Sequence, residues 1–360
     1  MQSMKEFEPT WATAPGATVL DVLQERGWAV GYLAKETHRD LHDVSRLLYG
    51  LAPLDACWAD SLSRVLGSTA AFWLRREEQY RSDLRRLSTS AEVSHAWLDA
   101  LPVRDMIKFG WIERGHSPDE TLINACAFLG VSTPKAFESK YERLIGTSAY
   151  RQSSAFETNS AAMAAWLRQG EIEATAIDCQ PWNEDRLRAS LDDIRALTRT
   201  SDTAEFMPAL QRLLGACGVA VIAARAPEGC RASGATRFLA PKKALIQLSF
   251  RYLSDDQFWF TVFHEIGHLV LHAHERLFLE GLEERHSEAE TEADEFALRA
   301  LFDRVGVDAL ETVSLTKFAI ARLARRAGVS PGLVVGQLQD KKRIPFKHFN
   351  YLKVRYAWED

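Results

Sequence analysis

Short amphipathic segments, separated by glycine and polar residues, fill the first part of the chain. Residues 17–80 contain the runs VLDVLQERG, GYLAKET, LHDVSRLLYG, LDACWADSLSRVLG and AAFWLRREEQY, in which apolar residues recur at helical spacing. Gly27, Gly50 and Gly67 follow three of these runs, at positions where a residue with positive φ can end a helix. The pattern predicts a compact bundle of five helices.

Helical patterning continues beyond the polar stretch 81–90 and gives way to β-rich segments near Gly218. GVAVIAA, TRFLA and ALIQLSF are short and bounded by Gly or Pro, which predicts a small sheet. Ser254 and Gln257 form an S-x-x-Q capping box, which predicts the start of a helix through FWFTVFHEIGHLVLH. We therefore expect a mainly α fold with a small β-sheet. It is divided into an N-terminal helical bundle (1–88), a helical middle domain (89–215), an α+β domain (216–310) and a basic helical segment (311–360).

Length and composition exclude several classes of protein. The 360 residues suggest two or three domains, and 46% hydrophobic with 26% charged residues is typical of a globular protein and excludes disorder as the main state. No apolar run approaches the roughly 20 residues needed to span a bilayer, and the N-terminal residues show no signal peptide. We expect a cytoplasmic protein without membrane partners. The five cysteines form no CxxC pair, which argues against a disulfide framework or a thiolate zinc site.

The sequence HEIGH, within the predicted helix, carries the clearest chemistry. His264 and His268 are four residues apart, so a helix places both imidazoles on one face, where they can bind a single ion. Zinc suits these ligands. Glu265 lies beside such an ion and not on it, in the position of a general base.

A third ligand is expected in the acidic segment SEAETEADEFALRALF. Glu290 and Asp294 are four apart, so the first could bind the metal while the second accepts a hydrogen bond from a ligand histidine, as in gluzincins. Glu292, Glu288 and Glu295 are alternatives for the ligand. A capping box or a solvated acidic helix end would also explain the segment.

Other residues near HEIGH could serve as ligands, as outer groups or in stabilising an oxyanion. His274 has metzincin spacing from His264, but Leu271 replaces the glycine of that pattern. His272 is two turns from His264, too far to share its ion, and would be an outer group. Tyr252 and His286 are candidates for stabilising an oxyanion.

FHEIGHLVLH followed by ETEADEFA resembles the ImmA/IrrE family of zinc metallopeptidases over residues 218–301, although ALRALF lacks the proline that often follows the second motif. The resemblance implies an α+β zincin domain of gluzincin type and a protein substrate. It also implies Zn²⁺ bound by His264, His268 and Glu290, with Glu265 as general base. Strand 244–250 could offer its edge to an extended substrate, or it could be an ordinary core strand.

The N-terminal stretch AVGYLAKETHRDLHDVSRLLYG is typical of a helix-turn-helix, in which Asp40 caps the second helix. With GSTAAFWLRREEQY it resembles the Xre-type domain of HigA antitoxins over residues 15–80. This resemblance implies operator DNA, a cognate toxin and a homodimer. Only Arg39, His42 and Arg46 suit contacts with DNA, and eleven basic against twelve acidic residues up to position 87 leave the domain without a net positive charge. A protein-binding bundle is the alternative.

Positive charge is concentrated at the C-terminal end, where residues 322–355 hold nine cations and one acid. This segment could contact nucleic acid or an acidic protein. Its ARRAGVSPGLVVGQLQ resembles a helix-turn-helix core, and ordinary helix packing with a solvated face would explain it equally well.

Together these patterns predict a zinc metalloendopeptidase coupled to a DNA-binding transcriptional regulator. Its substrate would be a protein such as a repressor or an operon partner. The alternative is a HigA-like antitoxin or repressor whose zincin domain is a non-catalytic sensor or docking module.

Overall fold

The structure is a computed structural model, and it describes residues 11–88, 93–145, 157–272, 277–279 and 288–358. The chain divides into two compact units. The first draws on residues 1–146, 152–178 and 227–230, and the second on 147–151, 179–226 and 231–360. The predicted divisions after residues 88, 215 and 310 stay predictions. No helix in the described ranges has the length and apolar character needed to cross a membrane.

The first unit begins with the five predicted helices: α1 (Pro15–Glu25), α2 (Val30–Thr37), α3 (Leu41–Leu48), α4 (Ala56–Leu66) and α5 (Ala70–Ser88). Their apolar faces meet in a core that includes Val19, Leu33, Val44, Leu62 and Trp73. As predicted, the carboxylate of Asp40 caps α3, accepting a 2.7 Å hydrogen bond from the backbone N–H of Asp43.

The same unit continues with α6 (Val93–Ala100), α7 (Val103–Lys108), α8 (Pro118–Leu129), α9 (Pro134–Ile145) and α10 (Glu157–Thr175). The end of α10 packs on α3. The Ser45 hydroxyl donates a 2.6 Å hydrogen bond to the carbonyl of Ile172, and the hydroxyls of Tyr49 and Thr175 are 2.8 Å apart. One face of α3 is therefore covered.

The second unit contains the sheet and the remaining helices. These are α11 (Glu184–Ala189), α12 (Leu191–Leu197), α13 (Thr203–Gly215), β1 (Val219–Ala223), β2 (Gly234–Ala240), β3 (Lys243–Leu248), α14 (Asp255–Leu271), β4 (Phe278–Leu279), α15 (Glu288–Phe302), α16 (Ala309–Thr312), α17 (Lys317–Ala327), α18 (Pro331–Asp340) and a 3₁₀ helix (Asn350–Leu352).

The four strands lie in the order β1-β3-β2-β4. β1 runs parallel to β3, with Val219 opposite Ala244, and β2 is antiparallel to β3 and β4. Of the two interpretations of the strand over 244–250, a free edge for substrate or a core strand, the structure excludes the first, because β3 lies between β1 and β2. It is a core strand.

The α14 helix is the centre of this unit. It begins at Asp255, as predicted, but the side chain of Ser254 makes no capping hydrogen bond, so the predicted capping box is not formed. The backbone of Ser254 forms an isolated bridge with Arg355 instead. Val221 and Ile246 of the sheet share one core with Trp259 and residues of the later helices.

The C-terminal helices α17 and α18 contain the sequence ARRAGVSPGLVVGQLQ, for which a helix-turn-helix core and ordinary helix packing are the two interpretations. Gly328 ends α17 with φ +80°, and the Ser330 hydroxyl caps α18 by accepting from the N–H of Leu333. Leu333, Val334 and most other residues of α18 are buried. The ordinary packing interpretation holds for α18, because a buried helix cannot enter a groove of DNA.

A buried ionic network joins the start of α14 to the chain end. Lys353 Nζ lies 2.6 Å from Asp256 Oδ2 and donates a 2.8 Å hydrogen bond to Gln339. The neighbouring Asp255 accepts hydrogen bonds from Ser330 and from the backbone N–H of Val354. Burial raises the pKa of Asp255 to about 6, although these two hydrogen bonds act to lower it.

We predict that Lys353→Ala lowers the free energy of unfolding by about 3 kcal/mol or more, because it leaves the buried carboxylate of Asp256 without its cation. Urea denaturation followed by circular dichroism measures this. Lys347→Ala is the matched control: Lys347 is exposed, so its removal should change the value by less than about 0.5 kcal/mol. Equal effects of the two substitutions would show that the network does not hold the segment.

Candidate metal centre

Two histidines of α14 lie side by side in the interior of the second unit. His264 and His268 are 2% and 1% exposed, and their Nε2 atoms are 2.9 Å apart. Their four-residue spacing places them on one helix face, as the sequence predicts. Burial lowers the pKa of His268, although its hydrogen bond to Glu290 acts to raise it. A lowered pKa favours the neutral imidazole, the form that binds a metal ion.

Glu290 reaches both imidazoles from α15. Its Oε2 lies 3.2 Å from His264 Nε2, and its Oε1 lies 3.3 Å from His268 Nε2. Burial alone would raise the pKa of Glu290, but hydrogen bonds and charge interactions with the two histidines outweigh it and lower the pKa to about 2. The carboxylate is thus ionised at neutral pH, as a ligand must be.

Asp294 lies one turn after Glu290 and contacts the far side of the first histidine. Its Oδ1 is 2.8 Å from His264 Nδ1. A carboxylate on Nδ1 favours the proton on that nitrogen and leaves Nε2 with its lone pair toward the cluster. The structure therefore brings together the predicted ligands and the predicted orienting carboxylate.

A glycine lets α14 and α15 approach closely at this point. A Cβ placed on Gly267, the glycine of HEIGH, would be 3.2 Å from Ala293 Cα and 3.3 Å from its carbonyl oxygen. Real Cβ contacts are seldom so short, so a larger residue would push the helices apart. Since Glu290 is three residues before Ala293, the distance from its carboxylate to the histidines depends on this contact.

Glu265 follows His264 on α14 and is not one of the three clustered residues. It is fully buried on α14, beside the first residue of β2. A Cβ on Gly234 would be 2.2 Å from Glu265 Oε1, so a larger residue at that position would displace the carboxylate. Sequence reasoning did not identify Gly234, because only the sheet brings it to Glu265.

His272 occupies the outer position expected of it. Its Nδ1 is 3.3 Å from His268 Nδ1, and its Nε2 is 2.8 Å from Glu292 Oε2. Glu292 thus pairs with the outer histidine and does not take the place of the third ligand. Glu288 is exposed, and Glu295 pairs with Arg299.

The other candidate residues from the sequence are His274, His286 and Tyr252. His274 and His286 lie outside the described residues. Tyr252 is 50% exposed and lines a small cleft together with Phe250, Phe258 and Thr261. Thr261 is one helical turn before Glu265, so this cleft adjoins the site.

The donor set fits a zinc ion. One atom from each of His264, His268 and Glu290 lies within 4.8 Å of the other two. Ligands of tetrahedral zinc at about 2.1 Å lie about 3.4 Å from one another, close to the separations seen here. Two imidazole nitrogens and one carboxylate are a set that zinc takes in catalytic sites.

The three predicted DNA contacts lie in the first unit, and two of them are engaged within it. The guanidinium of Arg39 stacks on the ring of Trp58 at 4.3 Å. Arg46 donates a 3.3 Å hydrogen bond to the carbonyl of Leu51. His42 on α3 is exposed.

We predict that Asp294→Ala weakens zinc affinity by about 10- to 100-fold, because His264 loses the carboxylate that orients it. Titration against a chromophoric chelator measures this. Glu295→Ala removes the neighbouring exposed carboxylate, which does not touch the cluster, and should change the affinity less than about twofold. An unchanged affinity in Asp294→Ala would contradict the orienting role.

Comparison with known proteins agrees with this geometry. Residues 231–338 match the family model Peptidase_M78, described as the IrrE N-terminal-like domain. The match includes the whole metal cluster, Glu265 and Gly234, and it extends through α17 to α18. No curated protein matches the chain. This part of the chain is therefore similar to a metallopeptidase-like domain of the ImmA/IrrE type.

Proposed function

We propose that the second unit is a zinc-dependent metalloendopeptidase of gluzincin type. The observation that carries this proposal is the convergence of His264, His268 and Glu290 on one point, with Glu265, the residue after His264, fully buried. The family match over residues 231–338 supports it. A purely structural cluster would explain the three ligands, but it would have no use for the further carboxylate of Glu265, which is fully buried on the same helix.

When bound, zinc lowers the pKa of water to near neutrality and polarises a substrate carbonyl. His264, His268 and Glu290 would hold the ion, and Asp294 fixes the orientation of His264. Glu265 would accept a proton from the attacking water at a carboxylate oxygen and pass it to the leaving amine. Gly234 keeps the space that this carboxylate occupies.

The substrate class we propose is a protein or peptide, such as a repressor or an operon partner. Because β3 lies inside the sheet, recognition would not use its edge.

We predict that Glu265→Gln retains zinc and loses peptide cleavage, because the amide cannot accept the proton. The zinc-loaded protein and the variant are incubated with a proteome-derived peptide library, and new termini are identified by mass spectrometry. We expect termini produced by the parent and absent from the variant. Equal cleavage by both would remove Glu265 as general base, and zinc-loaded parent without any cleavage would favour the non-catalytic sensor or docking module.

A second function, operator binding by the first unit, is supported by the geometry of α2 and α3. Three residues, 38–40, join the two helices, as in a helix-turn-helix, and the exposed His42 lies in the first turn of α3. Protein cleavage would then be coupled to transcription, with a homodimer on DNA. The packing of α10 on Ser45 instead favours the antitoxin-like alternative, in which this unit binds a protein such as a cognate toxin.

We predict that a duplex from the protein's own promoter is retarded at low salt, and that a double variant, His42→Ala with Arg46→Ala, weakens this binding at least about tenfold. Glu36→Ala, in an exposed position of α2, is the control and should not weaken it. Absence of retardation at about 50 mM salt would leave protein binding as the function of this unit.

A further inference from the structure

Three aromatic side chains at the C-terminal end of the second unit are unusually exposed. Phe318, Phe346 and Tyr351 are 84%, 73% and 66% exposed, the highest values among the large hydrophobic residues that the structure describes. Burying such rings is normally favourable, since each holds 150–250 Å² of surface. Their exposure in one segment of the chain therefore points to a contact surface.

The segment 346–351, which carries two of these rings, is held to α18 by hydrogen bonds. The buried side chain of Gln339 donates from Nε2 to the carbonyls of Phe346 and His348, at 3.0 Å and 2.9 Å. The same nitrogen is 2.9 Å from Asn350 Oδ1, and the Asn350 amide donates back to the carbonyl of Phe346. The positions of Phe346 and Tyr351 on this segment are thus set by hydrogen bonds to α18.

The third ring, Phe318, is on α17, and the residue before it contacts Tyr351. Lys317 Nζ lies 5.8 Å from the centroid of the Tyr351 ring, which joins the first turn of α17 to the 3₁₀ helix. Phe318 follows Lys317, and Arg322 is one turn further along the helix on the side of Phe318. We call Lys317, Phe318, Arg322, Phe346, Lys347 and Tyr351 the aromatic–basic surface.

The charge of this region is strongly positive. Residues 312–358 contain ten Lys and Arg residues and one acid, Asp340, in a chain of net charge −5. Lys353 and Lys341 are neutralised by Asp256 and Glu311. Within the described ranges, Lys317, Arg322 and Lys347 form no ion pair, and all three are exposed.

We propose that the aromatic–basic surface binds single-stranded nucleic acid. Its cations would contact phosphates, and unpaired bases would stack on its rings, the combination that single strands require. Duplex DNA is a poor fit because its bases are already stacked, and because α18, the helix that would enter a groove, is buried. An acidic peptide would satisfy the cations, whereas a single strand supplies both phosphates for the cations and base faces for the three rings. This site is independent of the proposed peptidase activity and of α3.

The test is fluorescence anisotropy of the full zinc-loaded chain with labelled oligothymidylate and oligouridylate of about 15 nucleotides, at about 50 mM salt. We expect binding that weakens as salt rises. The triple variant Phe318→Ala, Phe346→Ala, Tyr351→Ala should bind at least about tenfold more weakly. Tyr252→Ala, which removes an exposed tyrosine elsewhere in the same unit, should bind as the parent does.

Two further variants distinguish binding at the aromatic–basic surface from binding at α3. The variant Lys317→Gln, Arg322→Gln, Lys347→Gln should reduce the slope of log affinity against log salt by about 2, because three phosphate contacts are lost. The variant His42→Ala, Arg46→Ala should leave oligothymidylate binding unchanged. The proposal is overturned by no binding to either oligonucleotide, by equal binding in the aromatic variant with an unchanged melting temperature, or by tighter binding of poly-glutamate or duplex DNA.

Discussion

The contact between α14 and α15 at Gly267 is the constraint on which the site depends. HEIGH and ETEADEFA are each local in sequence, yet they become one site only where the backbones of these helices meet, with Ala293 Cα 3.2 Å from the position that a Cβ of Gly267 would occupy. At that separation Glu290 spans the two imidazoles and Asp294 reaches the other side of His264. Small residues at the crossing thus set the distance between the two halves of the ligand set.

The free-energy cost of burying the charged forms of Glu290 and His268 is offset by the hydrogen bonds within the cluster. Burial acts to raise the pKa of Glu290 and to lower that of His268, while hydrogen bonds between them act in the opposite directions. A cation placed among these groups would favour the neutral imidazoles and the ionised carboxylate together. The N-terminal end of α14 is fixed separately by the Asp256–Lys353 contact, so the helix is held at both ends.

Much of the site could be predicted because the residues of each half are four positions apart on one helix. The spacing of His264 and His268 places them on one face in any α-helix, and the same rule applied to Glu290 and Asp294 selected the pair that the structure brings to them. The helical bundle and the small sheet were also visible in the hydrophobic periodicity.

The parts that could not be predicted depend on distant neighbours. Strand order decides that β3 is internal, and no pattern within its own residues shows this. Gly234 reaches Glu265 only through the sheet, and Arg39 is engaged by Trp58 on another helix. The capping box at Ser254 has the right residues, but its side-chain bond is absent where the backbone instead pairs with Arg355.

Metal analysis of the purified chain shows whether His264, His268 and Glu290 form one zinc site. After zinc loading and gel filtration, we expect about one zinc per chain in the parent and almost none in Glu290→Gln, with matching circular dichroism spectra. Negligible zinc in the parent, or equal zinc in the variant, would contradict this assignment.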